Sequence, residues 1–233
     1  EEAPAPRELT SVEIAALVEN FADAARRAER IGIDALELHA AHGYLLHQFL
    51  SPLSNLRTDG YGGSLESRMR FSLEVFEATR AAWPSHKPLG IRLSATDWVD
   101  GGWDIEQSIV LCNLLKESGC DWIDVSSGGL SQEQVVPVGP GYQVHLSDRI
   151  RRETGLPTIA VGMITEPRQA ETIVSEGKAD MVALARGMLY DPRWVWHAAD
   201  ELGAQAKYPV QYRRCRPSQR EDVFGEHDTE SMS

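Results

Sequence analysis

The sequence is poor in cysteine, in net positive charge and in long apolar runs. Its three cysteines are Cys112, Cys120 and Cys215. An odd count with no close pairing pattern speaks against a disulfide scaffold and for reduced thiols, hence a cytoplasmic protein. Acidic residues outnumber basic ones by 35 to 23, for a net charge of −12. Such a surface would repel the phosphates of duplex nucleic acid or of an anionic membrane. A local basic pocket for one small phosphate stays compatible with it. No stretch approaches the roughly 18 apolar residues that a membrane span needs. The opening Glu1-Glu2-Ala3-Pro4 shows neither the basic leader nor the apolar stretch of a secretory signal. A G-x-G-x-x-G turn after an early strand is also missing, and with it the usual mark of an open dinucleotide-binding sheet.

What is present is an alternation of short apolar segments and amphipathic ones, in a chain of 233 residues that can bury a core in one domain. Thr10 or Ser11 can cap a helix that runs to about Ile31, stopped by Gly32. Further helices are expected at Glu66–Ala82, Ile105–Ser118, His145–Thr154, Pro167–Ser175 and Pro192–Leu202. Between them lie five predicted strands: Ala35–His39, Leu89–Leu93, Trp122–Ser126, Thr158–Val161 and Met181–Ala185. Strands separated by helices predict a parallel α/β sheet with both faces covered. That sheet is either open and doubly wound or an arc of a closed barrel. Polar residues cluster after the C-terminal ends of several strands, where barrel enzymes carry their sites, and this favours the barrel. A barrel has eight strands. An arc of five would leave two unpaired edges and an apolar inner face in water. The polar stretch from Arg213 to Ser233 offers no strand and is expected to be largely disordered.

The densest group of reactive side chains is His39-Ala40-Ala41-His42-Gly43-Tyr44, directly after the first strand. Two imidazoles can donate hydrogen bonds to one oxygen and polarise a carbonyl, and a phenol can pass a proton. The same spacing also suits two structural histidines. A metal site with His47 as third ligand fits less well, because no carboxylate lies within the cluster. Arg92, inside an apolar strand, needs an anionic partner: Asp97 or Glu37 in a structural ion pair, or an anionic ligand. Val161-Gly162-Met163-Ile164 and Ala185-Arg186-Gly187 follow the last two strands. Glycine lets backbone N–H groups approach an anion, and Arg186 can add a charge-assisted contact.

Several longer stretches carry a resemblance. They are Glu37 to Leu45, Phe49-Leu50-Ser51-Pro52-Leu53-Ser54-Asn55, Arg57-Thr58-Asp59-Gly60-Tyr61-Gly62-Gly63-Ser64, Asp124-Val125-Ser126-Ser127-Gly128, Pro140-Gly141-Tyr142-Gln143-Val144, Val161 to Thr165, Arg186 to Pro192, and Pro209-Val210-Gln211-Tyr212. Together the sequence resembles the Old Yellow Enzyme family over residues 8 to 214, and within it the thermophilic-like bacterial subclass with a His/His pair. The resemblance implies a (β/α)₈ TIM barrel of which this chain carries the last five units, with residues 1–212 in the barrel domain and 213–233 as a tail. It implies FMN as cofactor, NAD(P)H as reductant and an activated alkene as substrate, reduced by ping-pong hydride transfer. It implies that His39 and His42 hold the substrate oxygen and that Tyr44 donates the proton. Arg92 would lie beside the flavin ring. Gly162, Met163, Ala185 and Arg186 would hold its phosphate, although many relatives have glycine in place of Ala185. Arg214 would reach into the neighbouring subunit's site of a homo-oligomer. The resemblance further implies that a companion segment or chain carries the first three strands.

Two other functions compete with this expectation. A Schiff-base aldolase needs a lysine at a strand's C-terminal end, and Lys87, Lys116, Lys178 and Lys207 do not stand there. A non-catalytic half-barrel that binds only a partner segment is the other alternative.

Overall fold

The computed structural model describes residues 6–215. The chain divides into two compact units, Glu1–Arg186 and Gly187–Ser233. The first holds a five-stranded parallel sheet in the order β1-β2-β3-β4-β5. Its strands are β1 (Leu36–Ala40), β2 (Leu89–Ser94), β3 (Trp122–Ser126), β4 (Thr158–Ala160) and β5 (Met181–Val182). Helices α1 (Ser11–Arg30), α3 (Leu65–Ala82), α4 (Ile105–Glu117), α5 (Val144–Thr154) and α6 (Pro167–Ser175) alternate with them. A short α2 (Leu45–Leu50) follows β1. Local chemistry sets the ends. The Thr10 hydroxyl accepts from the Glu13 N–H while the Glu13 carboxylate accepts from the Thr10 N–H, a reciprocal cap on α1. Ser64 and Asp104 cap α3 and α4 in one direction only, their side chains accepting from the Ser67 and Gln107 N–H.

The strands alternate with a period of two, and the two faces of the sheet differ completely. One face carries Leu38, Ile91, Ile123 and Thr158 in one row and Ala40, Leu93, Val125 and Ala160 in the next. These residues are buried against helix residues such as Phe71, Val75, Phe76, Leu111, Leu115 and Ile150. The other face carries Glu37, Gly90 and Trp122 in one row, and His39, Arg92, Asp124, Ile159 and Met181 in the next. The inner face is therefore polar over most of its width, not apolar as expected. The reason is the strand period: every apolar residue of β1, β2 and β3 except Trp122 falls on the helix side. Trp122 lies across Gly90, where a Cβ would meet its ring at 2.1 Å, and donates to Glu37 at 3.0 Å.

Three expectations about elements are corrected. The last strand is two residues long, not five: its ladder with the three-residue β4 covers only Ile159↔Met181 and Ala160↔Val182. Helix α2 was not foreseen. Arg186 lies not in a loop but at the start of a short helix, α7 (Arg186–Tyr190). The second unit holds α8 (Trp194–Glu201) and a 3₁₀ turn, Val210–Cys215. That turn includes the first residues of the stretch expected to be disordered; the rest of the stretch lies outside the described residues.

Candidate active site

The C-terminal ends of β1, β2 and β3 bring the His cluster, Arg92 and two serines together. His39 sits on the open face of β1, in register with Arg92 and Asp124. His42 follows in a left-handed turn, with φ 58° for itself and 75° for Gly43. The rings of His39 and His42 are 5.3 Å apart, and those of His39 and Tyr44 are 5.1 Å apart. Tyr44 is exposed.

Neighbouring loops hold this turn in its unusual conformation. The His42 N–H donates to Ser94 Oγ at 2.9 Å, and Ser94 Oγ donates to the Gly128 carbonyl at 2.8 Å. His42 Nε2 lies 2.7 Å from Ser126 Oγ. Gly43 and Gly129 allow the loops after β1 and β3 to touch: a Cβ on Gly43 would meet the Gly129 carbonyl oxygen at 2.5 Å. Below the turn, the Gly43 N–H donates to His47 Nδ1 at 2.9 Å, and His47 Nε2 lies 2.8 Å from Asp97. Because Nδ1 accepts from a backbone N–H, the proton of His47 belongs on Nε2, donated to Asp97. Asp97 also accepts from Ser51 Oγ at 2.5 Å and from the Trp103 N–H at 2.7 Å. Burial works to raise its carboxyl, but the bonds from His47, Ser51 and Trp103 outweigh that and hold it below the usual carboxylate range. Both ring nitrogens of His47 are thus engaged, which removes the third ligand of the metal reading.

Electrostatics keep the two cluster histidines neutral. Burial, followed by the Arg92 charge, pushes His42 down to about 4 and lowers His39. Each ring therefore offers one N–H and one lone pair near neutral pH, and the Ser126 hydroxyl, able to donate or accept, serves either tautomer of His42. Neither partner expected for Arg92 is its neighbour in the structure. Asp97 binds His47, Glu37 binds Trp122, and Arg92 Nη1 lies 3.4 Å from Asp124. Burial raises the Asp124 carboxyl to about 6 against the opposing pull of Arg92. Arg92 Nε and Asp124 Oδ1 are both buried without a hydrogen-bond partner. Paired but half-satisfied groups of this kind are costly unless something else completes them.

At the other end of the sheet, the loop after β4 carries Gly162 at φ 117° and Met163 at φ 49°. Ala185 and Arg186, after β5, are exposed. Arg214 stands in the second unit, in the 3₁₀ turn.

Residues 1–205 match the NADH:flavin oxidoreductase / NADH oxidase family. The chain belongs to this family. A relative in Geobacillus thermodenitrificans, named NADPH dehydrogenase, is 47% identical over 92% of this chain and 62% of its own length. The protein of the same name in Bacillus subtilis is 44% identical over the same shares, 92% and 62%. Among solved structures, 2-naphthoyl-CoA reductase superposes with a TM-score of 0.78 at 30% identity, over 85% of this chain and 30% of that one. Morphinone reductase in complex with tetrahydroNAD superposes with a TM-score of 0.70 at 30% identity, over 90% and 54%. The chain thus spans about 62% of the length of the two NADPH dehydrogenases. The five-stranded sheet is an arc of the TIM barrel of these Old Yellow Enzyme-type flavoproteins.

The site residues of this family member fit a flavin group in two respects. The unpartnered Arg92 Nε can donate to an acceptor on a planar ring beside β2, and the Gly162–Met163 backbone can approach an anion. Sequence reasoning found the histidines, Tyr44 and Arg92 but missed Ser94, Ser126, Asp124 and the His47–Asp97 pair. Serines closing two apolar strands were the available signal for the first two. The Asp97 contact depends on a loop path that no local pattern discloses. No helix among the described residues is long and apolar enough to cross a membrane.

Proposed function

We propose that this chain supplies the substrate-activating and phosphate-binding portion of an FMN-dependent ene-reductase, which reduces the C=C bond of enones, enals or nitroalkenes with NAD(P)H in a ping-pong cycle. The observation that carries this reading is the convergence of His39, His42 and Tyr44 at the end of β1, with Arg92 in register on the neighbouring strand. FMN, when bound, supplies hydride transfer between the nicotinamide and the alkene. The neutral His39 and His42 rings donate to the carbonyl or nitro oxygen and draw charge from the double bond. Tyr44 delivers the proton to the alkene carbon. Arg92 would hold the flavin ring through Nε and would offset negative charge on it. Gly162, Met163, Ala185 and Arg186 bind the phosphate. Residues 1–212 belong to the barrel domain, which a companion segment bearing the first three strands completes, and Arg214 serves a neighbouring subunit of a homo-oligomer; these last assignments rest on the family likeness.

Replacing His39 and His42 together with alanine should leave FMN bound and slow reduction of cyclohexenone by about 10²-fold or more, the scale for lost donors to a developing oxyanion. Unchanged turnover would exclude the pair from substrate activation. A protein that is colourless and cannot take up flavin would instead favour a half-barrel that only binds a partner.

A further inference from the structure

We propose that Gln143 is the positioning residue of the phosphate-binding loop, and that a one-way hydrogen-bond relay from Trp98 through Ser127 sets its orientation. The inference rests on reading the loop at 161–165 as the phosphate site. What it adds is how that loop comes to present N–H groups to an anion.

Three successive carbonyls of the loop are tied back to the protein. Val161 O accepts from Gln143 Nε2 at 2.9 Å, Gly162 O from the Gly141 N–H at 3.0 Å, and Met163 O from Gln169 Nε2 at 3.2 Å. Among the described residues none accepts from the N–H of Gly162 or of Met163. With these three carbonyls held and the Gly162 and Met163 N–H groups free, the middle of the loop is built to receive a negative charge. The left-handed backbone of Gly162 and Met163 needs such restraint, Met163 above all because its Cβ disfavours that region. Gln143 lies close under it: a Cβ on Gly162 would meet Gln143 Nε2 at 2.7 Å.

Only one orientation of the Gln143 amide works, and its surroundings dictate which. Trp98 Nε1 can only donate, and it does so to Ser127 Oγ at 2.7 Å. The single hydroxyl proton of Ser127 is then free to go to Gln143 Oε1, a short contact. That turns Nε2, with its protons, toward the Val161 carbonyl. Trp98 follows β2, Ser127 follows β3 and Val161 follows β4, so the relay couples three successive loops along the mouth of the arc. Gln143 and Ser127 are buried, which makes each bond of the relay costly to leave unmade.

The test compares FMN with riboflavin, which lacks the phosphate, by flavin fluorescence titration of the protein as isolated. Gln143→Leu should weaken FMN about tenfold while changing riboflavin by less than about twofold, the worth of one buried hydrogen bond plus loop misplacement. Ser127→Ala leaves the amide free to turn and should weaken FMN about threefold. Gln169→Leu, at a half-buried position, should act in the same direction and keeps the test open if the Gln143 variant fails to fold. Equal losses for FMN and riboflavin, or no loss for either, would overturn the inference. An unaltered protein that binds FMN no better than riboflavin would overturn it too, by removing the phosphate from the loop. Binding of neither flavin to the unaltered protein is a separate result: it would defeat the flavin function itself, and the relay's role with it.

Discussion

The two faces of the sheet are built from the same strands and obey opposite rules. On the helix side, Ile91, Leu93, Ile123 and Val125 are fully buried, and the chain's own helices complete the packing. On the inner side, the same strands put forward Glu37, His39, Arg92, Asp124, Ser94 and Ser126. There the groups are paired across strands, yet Arg92 Nε and Asp124 Oδ1 are left without partners. The difference separates what makes the arc fold from what makes it useful. Apolar packing is concentrated on the helix side, while the inner side carries most of the hydrogen-bonding and charged groups of these strands. It also revises the physical case for a companion segment. An arc with an apolar inner face would fail by exposing it; this arc instead has a largely polar inner face and, among the described residues, two unpaired parallel edges, at β1 and β5.

The sharpest way to break this division is a matched pair of truncations on neighbouring strands. Ile91→Ala should cost about 2–5 kcal/mol in urea unfolding, the range for emptying a packed core site. His39→Ala, next to it on the open face, should change stability by no more than about 0.5 kcal/mol. If the two cost the same, the inner face is part of the folding core and the division fails.

The helix side was legible in the sequence because burial imposes a pattern. Four of the five strands and all the longer helices follow from apolar periodicity, with Thr10 marking where the first helix starts; the Ser64 and Asp104 caps came only with the structure. The inner side was legible only in part. His39, His42 and Arg92 stood out because polar groups at strand ends are conspicuous. Their partners did not, since the choice of Asp124 over Asp97 for Arg92 depends on strand register, and register is a property of the folded sheet. Helix α2 escaped notice because its six residues, Leu45–Leu50, are too short to show a period.

His47 tests the border between the two sides, since it is fully buried yet supports the open turn. His47→Leu strips Asp97 of one donor and the Gly43 N–H of its acceptor, and should cost about 2–3 kcal/mol in thermal or urea unfolding. His47→Asn offers an amide oxygen to Gly43 and should recover part of that loss. Recovery would mean that the turn bond matters in its own right; an equal loss in both variants would assign the whole effect to Asp97.

The smallest expected effect is a pH dependence in which the two groups oppose each other. His42, facing Arg92, His39 and His47, has a folded value of about 4, below the roughly 6.5 of an unfolded histidine. Between those values the unfolded chain binds a proton that the folded one refuses, so this group lowers stability as pH falls from about 6.5 to about 4. Asp124, facing Arg92 and Glu37, has a folded value of about 6, above the roughly 3.9 of an unfolded aspartate. In nearly the same window the folded state keeps a proton that the unfolded one has lost, so Asp124 raises stability as pH falls. The two slopes cancel in part. Asp124→Asn removes the offset, and the difference in urea midpoint between pH 7 and pH 5 should become larger than in the unaltered protein. His42→Ala should make it smaller. The same change of slope in both variants would show that these groups do not titrate as their surroundings imply, and that the inner face is wetter than its packing suggests.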